Sequence, residues 1–108
     1  MKRPERIRIL GKRFALHFVD KNHEGLKDSP EDDDPGMGRQ DTDKQEMFVR
    51  QGQPLDSEQD TVLHEITHCV DEMLDLGLTE DQVTKLAMGL LAVLKDNPAL
   101  IRYLAAKK

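Results

Sequence analysis

Gly77 and Thr79 divide the apolar second half of this chain into two helical stretches, and that division constrains the fold more than any other feature of the sequence. From Val62 onward Leu, Val, Ile, Met and Ala recur densely. Gly77 interrupts them and supplies the left-handed conformation that stops a helix, while Thr79 with Gln82 three residues later forms the capping box that starts the next. Two helices joined by so short a link are expected to pack antiparallel. The first is predicted to follow Pro54, capped by Asp56 or Ser57 with Gln59 or Asp60 at the matching third position, and to run to about Leu76. The second carries Val83, Leu86, Ala87, Leu90, Val93 and Leu94 at three- and four-residue spacing and ends before Asn97. Pro98 then restarts a short third helix through Tyr103 and Leu104.

The first half reads differently. Residues 6–10 suit a short strand, Gly11 and Lys12 a turn, and residues 13–20 alternate Phe14, Leu16 and Phe18 against Ala15, His17 and Val19, which predicts a hairpin. Residues 45–51, with Met47, Phe48 and Val49, predict a further strand, paired with residues 38–43 across a turn at Asp43 and Lys44. Between these lies KDSPEDDDPG, where Pro, Gly and four consecutive acids predict a mobile loop; residues 21–44 as a whole are expected to be a flexible acidic loop with an edge strand. The acids lack the Asp and Gly spacing of an EF-hand. Strands first and helices last predict an α+β fold, a short N-terminal sheet followed by two or three C-terminal helices. At 108 residues this is one small domain, 1–108, with its core expected in the aliphatic-rich second half.

Inside the first predicted helix stands the string HEITH. His64 and His68 are four residues apart, which on a helix brings both imidazoles to one side where they can share an ion. Zinc accepts nitrogen and oxygen ligands tetrahedrally, and a catalytic site keeps one position for water, whose pKa falls towards ~7. Glu65, beside the histidines, is then placed to take the water's proton and pass it to a leaving amine. At ~100° per residue, Val62, Ile66, Val70 and Met73 fall on one side of the helix and His64, His68, Asp71 and Asp75 on nearly the opposite side. The histidines are therefore off the core stripe. The bland alternative is an ordinary polar face that happens to carry them.

A third ligand must come from elsewhere. Glu80 and Asp81 both begin the second helix, where acids also complement the helix dipole. Counted from the apolar stripe, Glu80 lies at its edge facing the first helix and Asp81 points nearly away, so Glu80 is the better ligand. Asp71 competes as a direct ligand, or as a partner that orients a histidine. Cys69 projects towards the apolar side and reads as a small core residue.

Net charge is −5 and the pI about 5.3, which gives no reason to expect a nucleic acid partner. The basic start, Lys2, Arg3, Arg6, Arg8, Lys12 and Arg13, reads as a solvated strand face. Cys69 is the only cysteine, which excludes an internal disulfide. No run reaches the ~18 apolar residues of a membrane span, and a signal peptide's apolar region is lacking, so a cytoplasmic location is expected.

With HEITH and the carboxylate that follows it, the chain resembles a zincin, and more narrowly a gluzincin. The segment DTVLHEITHCVDEMLDLGLTEDQVTKLAMGLLAVLKDNPAL resembles very small metallopeptidases found in bacteria and their phages, and ILGKRFALHFVD and QEMFVRQ suit the sheet that precedes the helix in such domains. The resemblance implies a zinc-dependent metallopeptidase with one zinc per chain, held by His64, His68 and Glu80, with Glu65 as general base and a peptide or protein as substrate. The interval to Glu80 is shorter than in larger gluzincins, and Gln82 and Val83 depart from their pattern. The resemblance also implies that the strand 47–50 lies along the cleft edge, where it could pair with an extended peptide. Tyr103 and His17 are the side chains available to assist at the transition state. The rival reading is a binding module, zinc-stabilised or metal-free, in which Glu65 is dispensable.

Overall fold

The computed structural model describes residues 2–27 and 36–107. Within them the chain forms β1 (Arg6–Ile9), β2 (Lys12–Val19), a 3-10 turn (Glu24–Leu26), β3 (Gly38–Asp41), β4 (Glu46–Arg50), α1 (Leu55–Leu74), α2 (Glu80–Asp96) and α3 (Pro98–Ala105). This is the α+β layout expected, a four-stranded sheet followed by three helices. The run of four acids, 31–34, expected to be mobile, lies outside the described residues. Its N-terminal flank is partly structured: the 3-10 turn buries Leu26 and lays Gly25 so close on the Phe48 ring that a Cβ would collide with it.

The sheet order is β1-β2-β4-β3. β1 and β2 are an antiparallel hairpin whose two turn residues, Leu10 (φ 50°) and Gly11 (φ 83°), both have positive φ, as the twist-matched two-residue hairpin turn requires. β2 pairs in parallel with β4, Leu16 opposite Met47 and Phe18 opposite Val49. β3 pairs antiparallel with β4, Gln40 opposite Met47, and lies at one edge of the sheet, with β1 at the other.

Alternation along the strands sends Ile9, Phe14, Leu16, Met47 and Val49 to one face, where they meet Cys69, with Val62, Ile66, Val70 and Met73 of α1 packed around them. The expectation that the second half of the chain would supply the core is corrected here: the sheet supplies most of it. α2 packs on α1 and α3 and on neither face of the sheet. It buries Val83 and Ala87 but leaves Leu86, Leu90 and Val93 about half exposed. Helical spacing marks which residues can be buried together, not what layer will cover them.

The ends of α1 also differ from expectation. Its first residue is Leu55 and its N-cap is Pro54, which has no side-chain acceptor: Glu58 N–H donates to the Pro54 carbonyl, while Asp56 Oδ1, inside the first turn, accepts from Ser57 N–H and Ser57 Oγ donates to Gln53. At the other end Asp75, not Gly77, is the first left-handed residue, and Gly77 follows with φ 74°. Thr79 and Gln82 form the capping box of α2 as expected: Thr79 Oγ1 accepts from Gln82 N–H, and Gln82 Oε1 accepts from Thr79 N–H. No helix among the described residues is long and apolar enough to cross a membrane.

Candidate metal centre

α1 forms the floor of a cleft of about 550 Å³. Residues 36–40, including most of β3, make one wall, and Glu80 and Thr84 of α2 the other. The polar face of α1 that points into it carries Ser57, Asp60, Thr61, His64, Glu65 and His68, while the opposite face is committed to the sheet.

At one end of this floor three side chains converge. His64 Nε2 lies 3.2 Å from His68 Nε2, Glu80 Oε1 lies 2.8 Å from His64 Nε2, and Glu80 Oε2 lies 2.9 Å from His68 Nε2. Two nitrogens each ~2.0–2.1 Å from a tetrahedral zinc stand about 3.3 Å apart, so the imidazole spacing suits that ion. A neutral imidazole offers a lone pair on one nitrogen, and a carboxylate offers only lone pairs. Three such atoms around one point repel unless a cation, either a proton or a metal, lies between them. The imidazoles are about a fifth to a quarter exposed and Glu80 is 68% exposed, so the centre is open on the α2 side.

The link between α1 and α2 sets this geometry. Asp71 Oδ1 accepts from Leu78 N–H at 2.9 Å and the Asp71 carbonyl from Leu76 N–H at 3.0 Å, which ties the connection back onto α1 and delivers the first turn of α2 beside the histidines. Asp71 is thus a stitch in the link, neither a member of the metal-binding group nor a partner of a histidine. Asp81 turns away to Lys85, 2.9 Å distant. Among the described residues, His64, His68 and Glu80 are the group of His, Cys, Asp or Glu side chains close enough to share an ion, with donor atoms within 4.8 Å of one another.

Glu65 is 6% exposed and lines the same cleft. Above it lies Gly38, where a Cβ would stand 2.6 Å from Thr61 Cγ2 and 3.2 Å from Glu65 Oε2, so β3 reaches α1 only because position 38 has no side chain. Further along the strand, Gln40 Nε2 and Thr42 Oγ1 donate to the two oxygens of Glu72 at 2.8 and 2.5 Å and clamp the wall to the floor. The strand along the cleft is therefore β3, not 47–50: β4 has neighbours on both sides and no free edge. His17 stacks on Phe48, and Tyr103 is 77% exposed on α3; neither lines the cleft.

Cys69 is fully buried and its thiol is pushed up to about 11, chiefly by burial, with the charges of Glu72 and Glu65 adding and a hydrogen bond with Thr42 opposing. It is a core residue without thiolate character at neutral pH. Sequence reasoning missed Gly38 and Asp60 as parts of the cleft. Asp60 precedes His64 by four residues, so the arithmetic that paired His64 with His68 also reached it. Gly38 carried no local signal. Comparison of the chain with protein-family models, curated proteins and solved structures found no match.

Proposed function

We propose that this chain is a zinc-dependent metallopeptidase in which His64, His68 and Glu80 hold the metal and Glu65 is the general base. The reading is carried by one observation: the two Nε2 atoms and the Glu80 carboxylate converge at zinc-ligand spacing in a cleft that Glu65 also lines. Bound zinc supplies the Lewis acidity that lets water lose a proton near neutral pH. Glu65 holds that proton on its carboxylate and delivers it to the nitrogen of the departing amine. Its burial under Gly38 keeps bulk water off the carboxylate and limits its rotamers, so it need not reorganise during the reaction. β3 is an edge strand along the wall, the kind of edge to which an extended peptide adds as a strand.

The test compares hydrolysis of an unbiased peptide mixture by the zinc-loaded parent and by Glu65→Gln. The expected result is cleavage by the parent and a loss of at least ~100-fold in the variant, since a positioned base contributes about 10²–10⁴. Equal activity of the two, or none in the zinc-loaded parent, rules the peptidase reading out and leaves a metal-binding module.

A further inference from the structure

We propose that Asp60 makes the cleft select an ammonium group beside the scissile bond, so that the substrate's own N-terminus is held there and single residues are released from peptide ends. This inference rests on the peptidase reading of the same cleft.

Asp60 lies one helical turn before His64, about 6 Å along the α1 axis, and its side chain lines the cleft. Its Oδ1 is closed off from solvent and has no hydrogen-bond partner among the described residues. Buried polar atoms nearly always have one. The neighbouring donors are turned elsewhere. Ser57 Oγ donates to Gln53 Oε1 at 2.7 Å, and Thr61 Oγ1 donates to the Ser57 carbonyl at 2.9 Å. Lys95, which shares with Asp60 a second, shallow groove between α1 and α2, donates to Gln59 Oε1 at 2.7 Å. One oxygen of Asp60, a turn away from the proposed metal centre, is thus left without a donor from the described residues.

A carboxylate only accepts, and its strongest partners are charged donors. In a peptide the N-terminal nitrogen is two bonds from the carbonyl carbon of its own residue. With that carbonyl at the His64, His68 and Glu80 centre, the ammonium lies within about 3 Å of the carbonyl carbon, on the scale of the single helical turn that separates Asp60 from His64 along α1. A lysine side chain carries its ammonium on a four-carbon stem and overshoots that distance.

The experiment measures binding by calorimetry to the zinc-loaded full chain carrying Glu65→Gln, which prevents turnover. Three probes are compared: leucyl-alanine amide, its N-acetyl form, and N-acetyl-lysyl-alanine amide. The expected result is at least ~10-fold tighter binding of the free-amine peptide than of either acetylated one, and loss of that preference in Asp60→Asn with the affinity for N-acetyl-leucyl-alanine amide unchanged. Equal binding of the free and acetylated leucyl peptides, no binding of either, or a preference that survives Asp60→Asn overturns the proposal. Preference for the lysyl probe overturns the N-terminal assignment. Hydrolysis by the parent protein that ignores acetylation would sink this inference alone, whereas amine-dependent binding without hydrolysis by the parent would sink the peptidase reading, and the release of residues with it, while leaving the ammonium site at Asp60.

Discussion

Gly38 and Glu65 meet across the cleft with no room for a side chain between them: a Cβ on Gly38 would stand 3.1 Å from Glu65 Cγ and 3.2 Å from its Oε2. The requirement is steric, because Gly38 does not have the positive φ of Gly11, Gly52 or Gly77. It couples the edge strand to the carboxylate assigned as general base.

Gly38→Ala is therefore expected to destabilise the fold by about 1–3 kcal/mol, as overpacking does. At an unstrained, open position the same change would stabilise by roughly 0.4–1 kcal/mol through the unfolded chain. Urea unfolding separates the two by sign. Adding Thr61→Ser, which removes the methyl 2.6 Å from the new Cβ, should recover part of the loss.

The donor cluster orders three carboxylates by their distance from the proposed ion. Glu80→Ala should weaken zinc binding more than ~100-fold, and Asp81→Ala, which removes a partner of Lys85, by less than ~3-fold. Asp71→Ala should fall between them, at about 10-fold, because it loosens the link that positions Glu80 without removing a ligand. Competition with a chromophoric zinc chelator measures all three.

Much of this was legible beforehand, and the reasons differ by element. HEITH, the Thr79 capping box and the choice of Glu80 over Asp81 follow from helical periodicity, which is local and survives into the fold intact. The hairpin 6–20 and the pairing of β3 with β4 follow from alternation and turn residues. What could not be read was which layer covers which face: the aliphatics Leu86, Leu90 and Val93 looked like core and lie half exposed, because nothing in α2 records that it packs on α1 and α3 and not on the sheet. Strand order was hidden for the same reason. The resemblance placed the strand 47–50 along the cleft, yet β4 lies between β2 and β3, and its apolar residues suit that central place.

Arg3 and Glu58 form a bidentate pair, Nε to Oε1 at 2.6 Å and Nη2 to Oε2 at 2.9 Å, with the guanidinium over the Phe18 ring. The hydrogen bonds from Arg3 hold the buried Glu58 carboxyl below the usual carboxylate range; burial opposes this and the Arg3 charge adds to it. A group lowered in the folded state contributes stability above its ordinary pKa and loses it as pH falls through the lowered value. Arg3→Met should thus be less stable than the parent at pH 7, with the gap closing below pH ~4. Thermal melts across that range check the sign.

Leu10 occupies a left-handed turn position, φ 50°, and is 55% exposed, so its side chain gains little burial for a conformation that disfavours it. Leu10→Asn creates the Asn-Gly pair that this turn prefers. A gain of about 0.5–1 kcal/mol is expected, read as a rise of a few degrees in Tm. A fall in Tm would mean that Leu10 packs on something the described residues do not include.

The central claim is that His64, His68 and Glu80 hold zinc. Metal analysis of the protein purified without chelator, followed by zinc titration after stripping, tests it most directly. The account requires close to one zinc per chain in the parent and in Glu65→Gln, and a large loss in His64→Ala, His68→Ala and Glu80→Ala. Parent protein that carries no zinc and binds none on titration, or a His64→Ala variant that binds as tightly as the parent, would contradict it.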